Sequence, residues 1–505
     1  MSRNLLFVAV VTSVLLMSCS TSKKSFDPNR KYSAVALRQD YSLFRNILEK
    51  YHPSLYWFTP KDSIDYYFER GWQKLNDSLT ENQFRYILQD VTTKIRCGHT
   101  SVRSSRKYIR YLDTALQKTF PLALKVWPDS MAVIANTHRR DSIFRRGTVV
   151  YRINGLTTKQ ITDTFFNYLV TDGHAINGKY QALSSGANFG TLYRNIFGLT
   201  DKFEIEYRDS LGQKRIASTN VFVPVRDTTR RTLPPPSNRD RGTAPSPPRI
   251  NRVRSLQVDT TLSTAYMTLT TFARGNKLRS FFHKSFRVMK ERSIKNLVID
   301  VRSNGGGDAG LSTLLTRYLV DRKFKLADSL YAVRRSGPYN KYIKKHLLYR
   351  MGMFFVTKKK RDGYYHFTFF ERHYYSPRKK NHFNGDVYII IGGNSFSATT
   401  LFAKALQAQK NVTIVGEESG GGAYGNSAWM IPDVVLPNTK IRFRLPLFRL
   451  VMDKNLVREG RGIQPDIYVA PSAETIRLGI DPKSEAVRQL IVSKSKPSNK
   501  SGNTK

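Results

Sequence analysis

Acidic residues are scarce in this chain. Only 38 Asp and Glu stand against 83 Lys and Arg over 505 residues, a formal net charge of +45. Cysteine is scarcer still, two in all, which excludes a disulfide framework. No group of His, Cys, Asp or Glu has the spacing of a zinc or calcium site, so the sequence implies no metal and no cofactor. Long apolar runs are missing except for one at the very start. What is present excludes other classes. Hydrophobic residues make up 40% of the chain and aromatic residues 12%, too much for a disordered or collagen-like protein. At roughly 150 residues per domain, the length suits two to four domains.

The one apolar run, Leu5 to Met17, follows a short segment carrying Arg3 and ends in Leu16-Met17-Ser18-Cys19. It is too short to span a bilayer as a helix and has the grammar of a secretory signal peptide. It resembles a bacterial lipobox, in which the cysteine is lipidated and becomes the new N-terminus. A plain signal peptide with an incidental cysteine is the alternative. Residues 1–19 are therefore expected as a lipoprotein signal peptide, with the lipid on Cys19 and Cys97 left as the free thiol. The expected location is the cell envelope, at the outer membrane and facing the periplasm. A basic chain ordinarily suggests nucleic acid, but the anions outside the cytoplasm are lipid phosphates and wall carboxylates. No nucleic acid is expected; an anionic envelope surface and a merely solvated basic exterior are the two readings.

After a polar tether, residues 20–115 read as a small helical domain. Three stripes of helical period support it: Leu37, Tyr41, Phe44, Leu48 and Tyr51; then Ile64, Phe68, Trp72 and Leu75; then Phe84, Ile87, Leu88, Val91 and Ile95. From residue 116 to 226 the texture changes to short β-type runs, Leu122–Val126, Met131–Ile134, Val149–Ile153 and Phe203–Tyr207, with turn signals such as Asn154-Gly155. The phrase from Arg146 to Gly155 looks like the middle of a PDZ domain, a module that adds an extended peptide to a sheet edge. Residues 166–198 are more than a minimal PDZ domain needs. Residues 227–250 hold six prolines and five arginines and read as a linker. Residues 251–475 then alternate strands and helices. The apolar strands Ala265–Leu269, Asn296–Val301, Val387–Ile391 and Val412–Val415 are separated by helices at Leu278–Lys290, Ala309–Leu319 and Ala398–Gln407. This predicts an α/β core with a mostly parallel sheet. Residues 476–505 are expected as a tail.

Three segments carry chemistry. Asp300-Val301-Arg302-Ser303-Asn304-Gly305-Gly306-Gly307 takes an apolar strand into a turn where backbone N–H groups can approach a developing oxyanion. Gly305, Gly307 and Gly310 also satisfy a dinucleotide fingerprint, a weak pattern in an exported chain. Asn394-Ser395-Phe396-Ser397-Ala398-Thr399 places serines at a strand-to-helix junction, where free N–H groups of the first turn favour negative charge; an N-cap serine is the bland alternative. Cys97-Gly98-His99-Thr100 supplies an imidazole.

Together these segments resemble the tail-specific (carboxyl-terminal processing) peptidases and the tricorn-core serine peptidases. That family shows Asp-x-Arg-x-Asn-x-Gly-Gly, then Ser-x-Ser-Ala before a helix, then a Gly-Glu strand end, here Val415-Gly416-Glu417. The resemblance implies a ClpP/crotonase-like α/β core and a polypeptide substrate. It makes Ser397 the nucleophile, with Ser395 the weaker candidate, and the Gly306 and Ala398 N–H groups the oxyanion hole. Members with a Ser/Lys dyad carry the lysine after the Gly-Glu end, where this chain has Ser419-Gly420-Gly421-Gly422. His99 is therefore expected as the base, in a turn similar to the Asp-Gly-His-Thr of the tricorn-like branch, with Cys97 where Asp is usual. Glu459, in a segment similar to the tricorn-like Glu-x-x-Gly-x-x-Pro-Asp, is expected to orient the relay. Cys97 as a thiol nucleophile is the lesser reading. Within the core, residues 321–383 hold 17 Lys and Arg against four acids, with 15 Phe and Tyr interleaved. This insert is either a β-rich elaboration or a contact for an anionic membrane. The reading is an exported, lipid-anchored serine endopeptidase; the alternative is a catalytically silent homologue that binds peptide or envelope.

Overall fold

A computed structural model describes residues 26–225 and 252–495; Cys19 and residues 227–250 lie outside the described residues. Helices α1 (Ala34–Tyr51), α2 (Lys61–Gln73) and α3 (Glu81–Lys94) form where the three stripes predict. Thr80 and Gln83 close a capping box at the start of α3, satisfying N–H groups the helix leaves open. A fourth helix, α4 (Arg106–Thr114), follows. These helices do not own a separate core. Phe44 meets Phe443 edge-on at 5.1 Å, and buried Asp40 accepts hydrogen bonds from the Thr439 N–H and hydroxyl. The hydrophobic cluster runs unbroken from α1 into the catalytic sheet.

The PDZ-like segment has its own core. Strands β1 (Leu122–Val126), β2 (Met131–Asn136), β3 (Val149–Ile153), β4 (Lys202–Arg208) and β5 (Lys214–Asn220) form one antiparallel sheet in that order. Helices α5 (Thr158–Phe166), α6 (Asn177–Leu183) and α7 (Asn188–Ile196) lie between β3 and β4. The surplus length between Phe166 and Gly198 thus carries the two short helices α6 and α7.

The third unit is a six-stranded sheet ordered β6 (Arg254–Asp259), β7 (Thr264–Leu269), β8 (Asn296–Asp300), β9 (Asp386–Ile391), β10 (Val412–Gly416) and β11 (Ile467–Tyr468). Only the β6–β7 pair is antiparallel, so the sheet is mostly parallel. Its central strands are apolar on both sides, as burial on two faces requires. Alternation sends Leu297, Ile299, Ile389 and Ile414 towards the main core. Val298, Tyr388, Ile390 and Val415 go to the other face. Helices α8 (Leu278–Glu291) and α9 (Ala309–Thr316) flank β8 in sequence; α10 (His346–Val356) belongs to the insert and α11 (Ala398–Leu406) follows β9. The segment expected as a tail differs. Pro482–Ser495 is helix α12, whose Val487 and Ile491 are buried on the second face. With Ala486 and Leu490 packed beside them, they make an apolar stripe that the polar composition of the C-terminal end hides.

A buried charge cluster joins three parts of the chain. Glu417, at the end of β10, pairs with Lys483 of α12 at 2.7 Å and with Lys125 of β1 at 3.8 Å, all three about 5% exposed. Removing the one anion strands two buried ammonium groups. Glu417→Gln is therefore expected to cost about 3–5 kcal/mol, read as a lowered midpoint in urea unfolding.

Candidate active site

Strands β8 and β9 are parallel neighbours, so the turns after them open at the same edge, where open α/β sheets bind ligands. Two contacts lock the turns together. The Ser395 hydroxyl donates to the Val301 carbonyl at 2.8 Å, and the Phe396 N–H donates to the Asn304 carbonyl at 3.2 Å. Ser395 is 1% exposed and committed to that bond, which leaves Ser397 as the available hydroxyl. Ser397 stands just before α11 with φ 58° and ψ −120° and makes no side-chain capping bond. A non-glycine residue held there costs on the order of 1–3 kcal/mol, strain of a kind that clusters at active sites. The bland N-cap reading fails on that geometry.

Gly306 lies directly against the serine. A Cβ there would come within 2.7 Å of the Ser397 Cβ and 2.9 Å of the Ala398 nitrogen, and its φ of +94° is one that L side chains rarely adopt. Gly306→Ala is accordingly expected to displace Ser397 and lower kcat by about 10²-fold, the cost of a misplacement near 1 Å. Paired activity and thermal-melting measurements separate this from unfolding. Of the expected oxyanion donors, the Ala398 N–H has no hydrogen-bond partner among the described residues. The Gly306 N–H is instead spent on the Asn304 side chain at 2.9 Å. The adjacent Gly307 N–H has no partner among the described residues, and Gly307 lines the same cleft as Ser397 and Ala398. That cleft, about 540 Å³, is walled by Trp429, Met430 and Ile431, with Arg274 and Arg444 beside it.

The glycines at the position of a dyad lysine pack behind Ser397. A Cβ on Gly421 would stand 2.6 Å from the Thr400 hydroxyl and 3.2 Å from the Ser397 nitrogen, so no side chain fits there. Lys404 lines a different depression and faces Asp453 at 3.9 Å.

His99 is buried, and its ring lies over Phe396, the neighbour of Ser397, at 4.6 Å between centroids. Neither ring nitrogen has a hydrogen-bond partner among the described residues, so no bond to the Ser397 hydroxyl exists in this structure. Its Nδ1 stands 3.9 Å from the carboxylate of Asp172. Burial, and then the Arg444 cation, push the imidazole down to about 3. Asp172 is 2% exposed, and burial pushes its carboxyl up to about 7 against the lowering effect of the Gly98 and Gly422 N–H groups, which donate to it at 2.8 and 3.4 Å. Cys97 is no nucleophile: burial raises its thiol to about 11, and its sulfur accepts from the Thr100 hydroxyl. His52 holds the same turn, with its Nε2 2.8 Å from the Thr100 Oγ1.

Glu459 makes no ion pair or hydrogen bond with His99 among the described residues. It is exposed and lines the depression that holds Lys404. Its neighbour Gly460 accepts from the N–H of His174 at 2.7 Å, so this loop packs on the other histidine. Sequence reasoning missed Asp172. The signal was there: Asp172-Gly173-His174 is a second x-Gly-His triplet and carries the Asp that Cys97 replaces in the first. The two turns abut through the Gly98–Asp172 bond, so Asp172 stands beside His99 from the neighbouring loop.

A serine on a strained strand-to-helix turn, unpaired N–H groups beside it and a buried imidazole next to a carboxylate define a serine-hydrolase type of site. Residues 263–469 match the model of peptidase family S41, a family of serine-type peptidases. Among solved structures it is similar to mature CPAF, with a TM-score of 0.61 and 16% identity over 92% of this chain and 99% of that one. The complex of mature CPAF with lactacystin gives a TM-score of 0.60 and 15% identity over 91% and 98%. At these identities the likeness is one of fold. No curated protein matches the sequence.

Proposed function

We propose that this protein is an exported, lipid-anchored serine endopeptidase in which Ser397 attacks the peptide carbonyl and His99 takes its proton. The Ala398 and Gly307 N–H groups receive the oxyanion, and Asp172 steadies the imidazolium formed on His99. The acyl-enzyme is then hydrolysed by water, with His99 returning the proton in turn. The observation that carries this reading is the backbone of Ser397, whose left-handed turn frees its hydroxyl from capping at the mouth of the cleft. The hydrogen bonds that await substrate tighten as the cleft fills. A fluorophosphonate probe should label Ser397, mapped by mass spectrometry. An unlabelled Ser397 in folded protein would favour the silent, peptide-binding alternative.

The lipid belongs on Cys19, placing the enzyme at the outer membrane facing the periplasm, with polypeptide as substrate. A Cys19→Ser variant is expected to leave the membrane fraction or to remain unprocessed. Unchanged fractionation together with an unchanged mature mass would defeat the anchor.

A further inference from the structure

Helix α10 is amphipathic in an inverted sense. Met353 is buried and Tyr349 packs against the core, while Leu347, Leu348, Met351, Phe354 and Phe355 are all between 57% and 79% exposed. Their spacing of one, four, seven and eight from Leu347 puts them on one helical face. Isolated apolar side chains on a surface are ordinary, but a contiguous patch marks a binding site. The helix holds no acid, and exposed Lys345, Arg350, Lys358 and Lys359 surround the patch. The tether leaves the fold beside it: Phe26, the first described residue, shares a cavity with Lys344, just before α10, and with Arg106 and Lys107 of α4. Phe26 is held there by Tyr108 and Tyr111, at 5.5 and 5.9 Å between ring centroids. Seven residue steps separate Cys19 from Phe26, at most about 25 Å of chain.

We propose that α10 and its flanking lysines dock on an anionic lipid bilayer beside the point where the tether leaves the fold. The part of the argument that uses the tether rests on the lipid-anchor reading; the patch and its charge do not. Among the described residues no helix is long and apolar enough to cross a membrane, so α10 lies in the interface, as basic amphipathic helices do. A second copy of the chain suits the patch less well, because a two-fold contact would set the same lysines against each other. Docking brings the chemistry to the membrane, since Met430 of the cleft wall lies 3.4 Å from where a Cβ on Gly352 of α10 would stand.

The test uses the unlipidated chain from Ser20 onward, floated with vesicles of phosphatidylcholine alone or with about a third phosphatidylglycerol. Binding is expected on the anionic vesicles only. It should weaken steeply with salt, because the screening length falls from about 10 Å at 0.1 M to about 3 Å at 1 M. It should also drop at least tenfold in Phe354→Glu/Phe355→Glu and in Lys358→Glu/Lys359→Glu, both with unchanged thermal melting. Equal binding to both vesicles, or wild-type binding by both variants, overturns the proposal. So does a dimer, seen by light scattering, that the Phe variant abolishes. Loss of the Cys19 anchor leaves this assay untouched, so the two failures are distinguishable.

Discussion

Ser397→Ala is expected to lower kcat for peptide hydrolysis by on the order of 10⁴- to 10⁶-fold, the range seen when a serine nucleophile is removed from a relay that acts as a unit. The loss should fall on kcat with KM little changed, because Ser397 is one small group in a cleft of about 540 Å³ whose walls are untouched. Stability should hold or rise. Alanine does no better than serine at φ 58°, yet the change removes a hydroxyl that makes no capping bond. A fluorogenic peptide assay with a melting curve decides it. Activity within tenfold of wild type would mean that the nucleophile lies elsewhere.

His99→Ala should cost about 10²–10⁴-fold in kcat, the usual contribution of a positioned general base. The pH dependence then tells which group is titrating. A free imidazole would give a limb near its ordinary value of about 6.5, but burial and Arg444 hold His99 neutral down to about 3. The imidazole is therefore unprotonated across the neutral range, but it is a weak proton acceptor unless a neighbouring anion raises its affinity. Asp172 is the group that changes there, because burial raises its carboxyl to about 7. Below that pH it is the neutral acid; above it, a carboxylate stands 3.9 Å from Nδ1 when His99 accepts the serine proton. At that distance the attraction is about 4 kcal/mol for an effective dielectric near 20, a ceiling of roughly 10³-fold. Activity should rise with pH through about 7, and Asp172→Asn should flatten that limb and lower kcat by about 10²-fold. Glu459→Gln should change neither. A limb unmoved in Asp172→Asn would remove Asp172 from the relay.

The parts of the fold legible in the sequence were those written in one segment at a time. Val387–Ile391 is a five-residue apolar run, β-branched and aromatic throughout and followed by Gly392-Gly393, and its length, composition and flanks read as a buried strand. Ser397 was legible as a candidate for the same reason, since it and the Gly306 turn each follow such a strand. What could not be read there were relations between segments. Glu459 follows a family-like spacing, but where it points depends on packing against His174, over two hundred residues away. Asp172 carries no periodicity, and its importance arises only because the loop bearing it is pressed against Gly98. The Gly306 N–H failed as an oxyanion donor because Asn304, two residues before it, folds back to accept it, a local turn that the motif's letters do not specify. The helix at 482–495 was hidden by composition, which averages over the four apolar positions that matter.

The abutting turns at the site also bear on how the enzyme comes into being. His99 and Ser397 are 397 − 99 = 298 residues apart, with Asp172 and Gly306 between them, and no two of these groups belong to the same local segment. Contacts of such long range form late, because the chain must close large loops before they stabilise anything. A nascent or truncated polypeptide therefore holds no working fragment of the relay. On the proposed relay, the helical segment alone has an imidazole with nothing to activate, and the catalytic sheet alone has a hydroxyl without a base. On the proposed mechanism, proteolytic power is switched on only by completion of the fold itself.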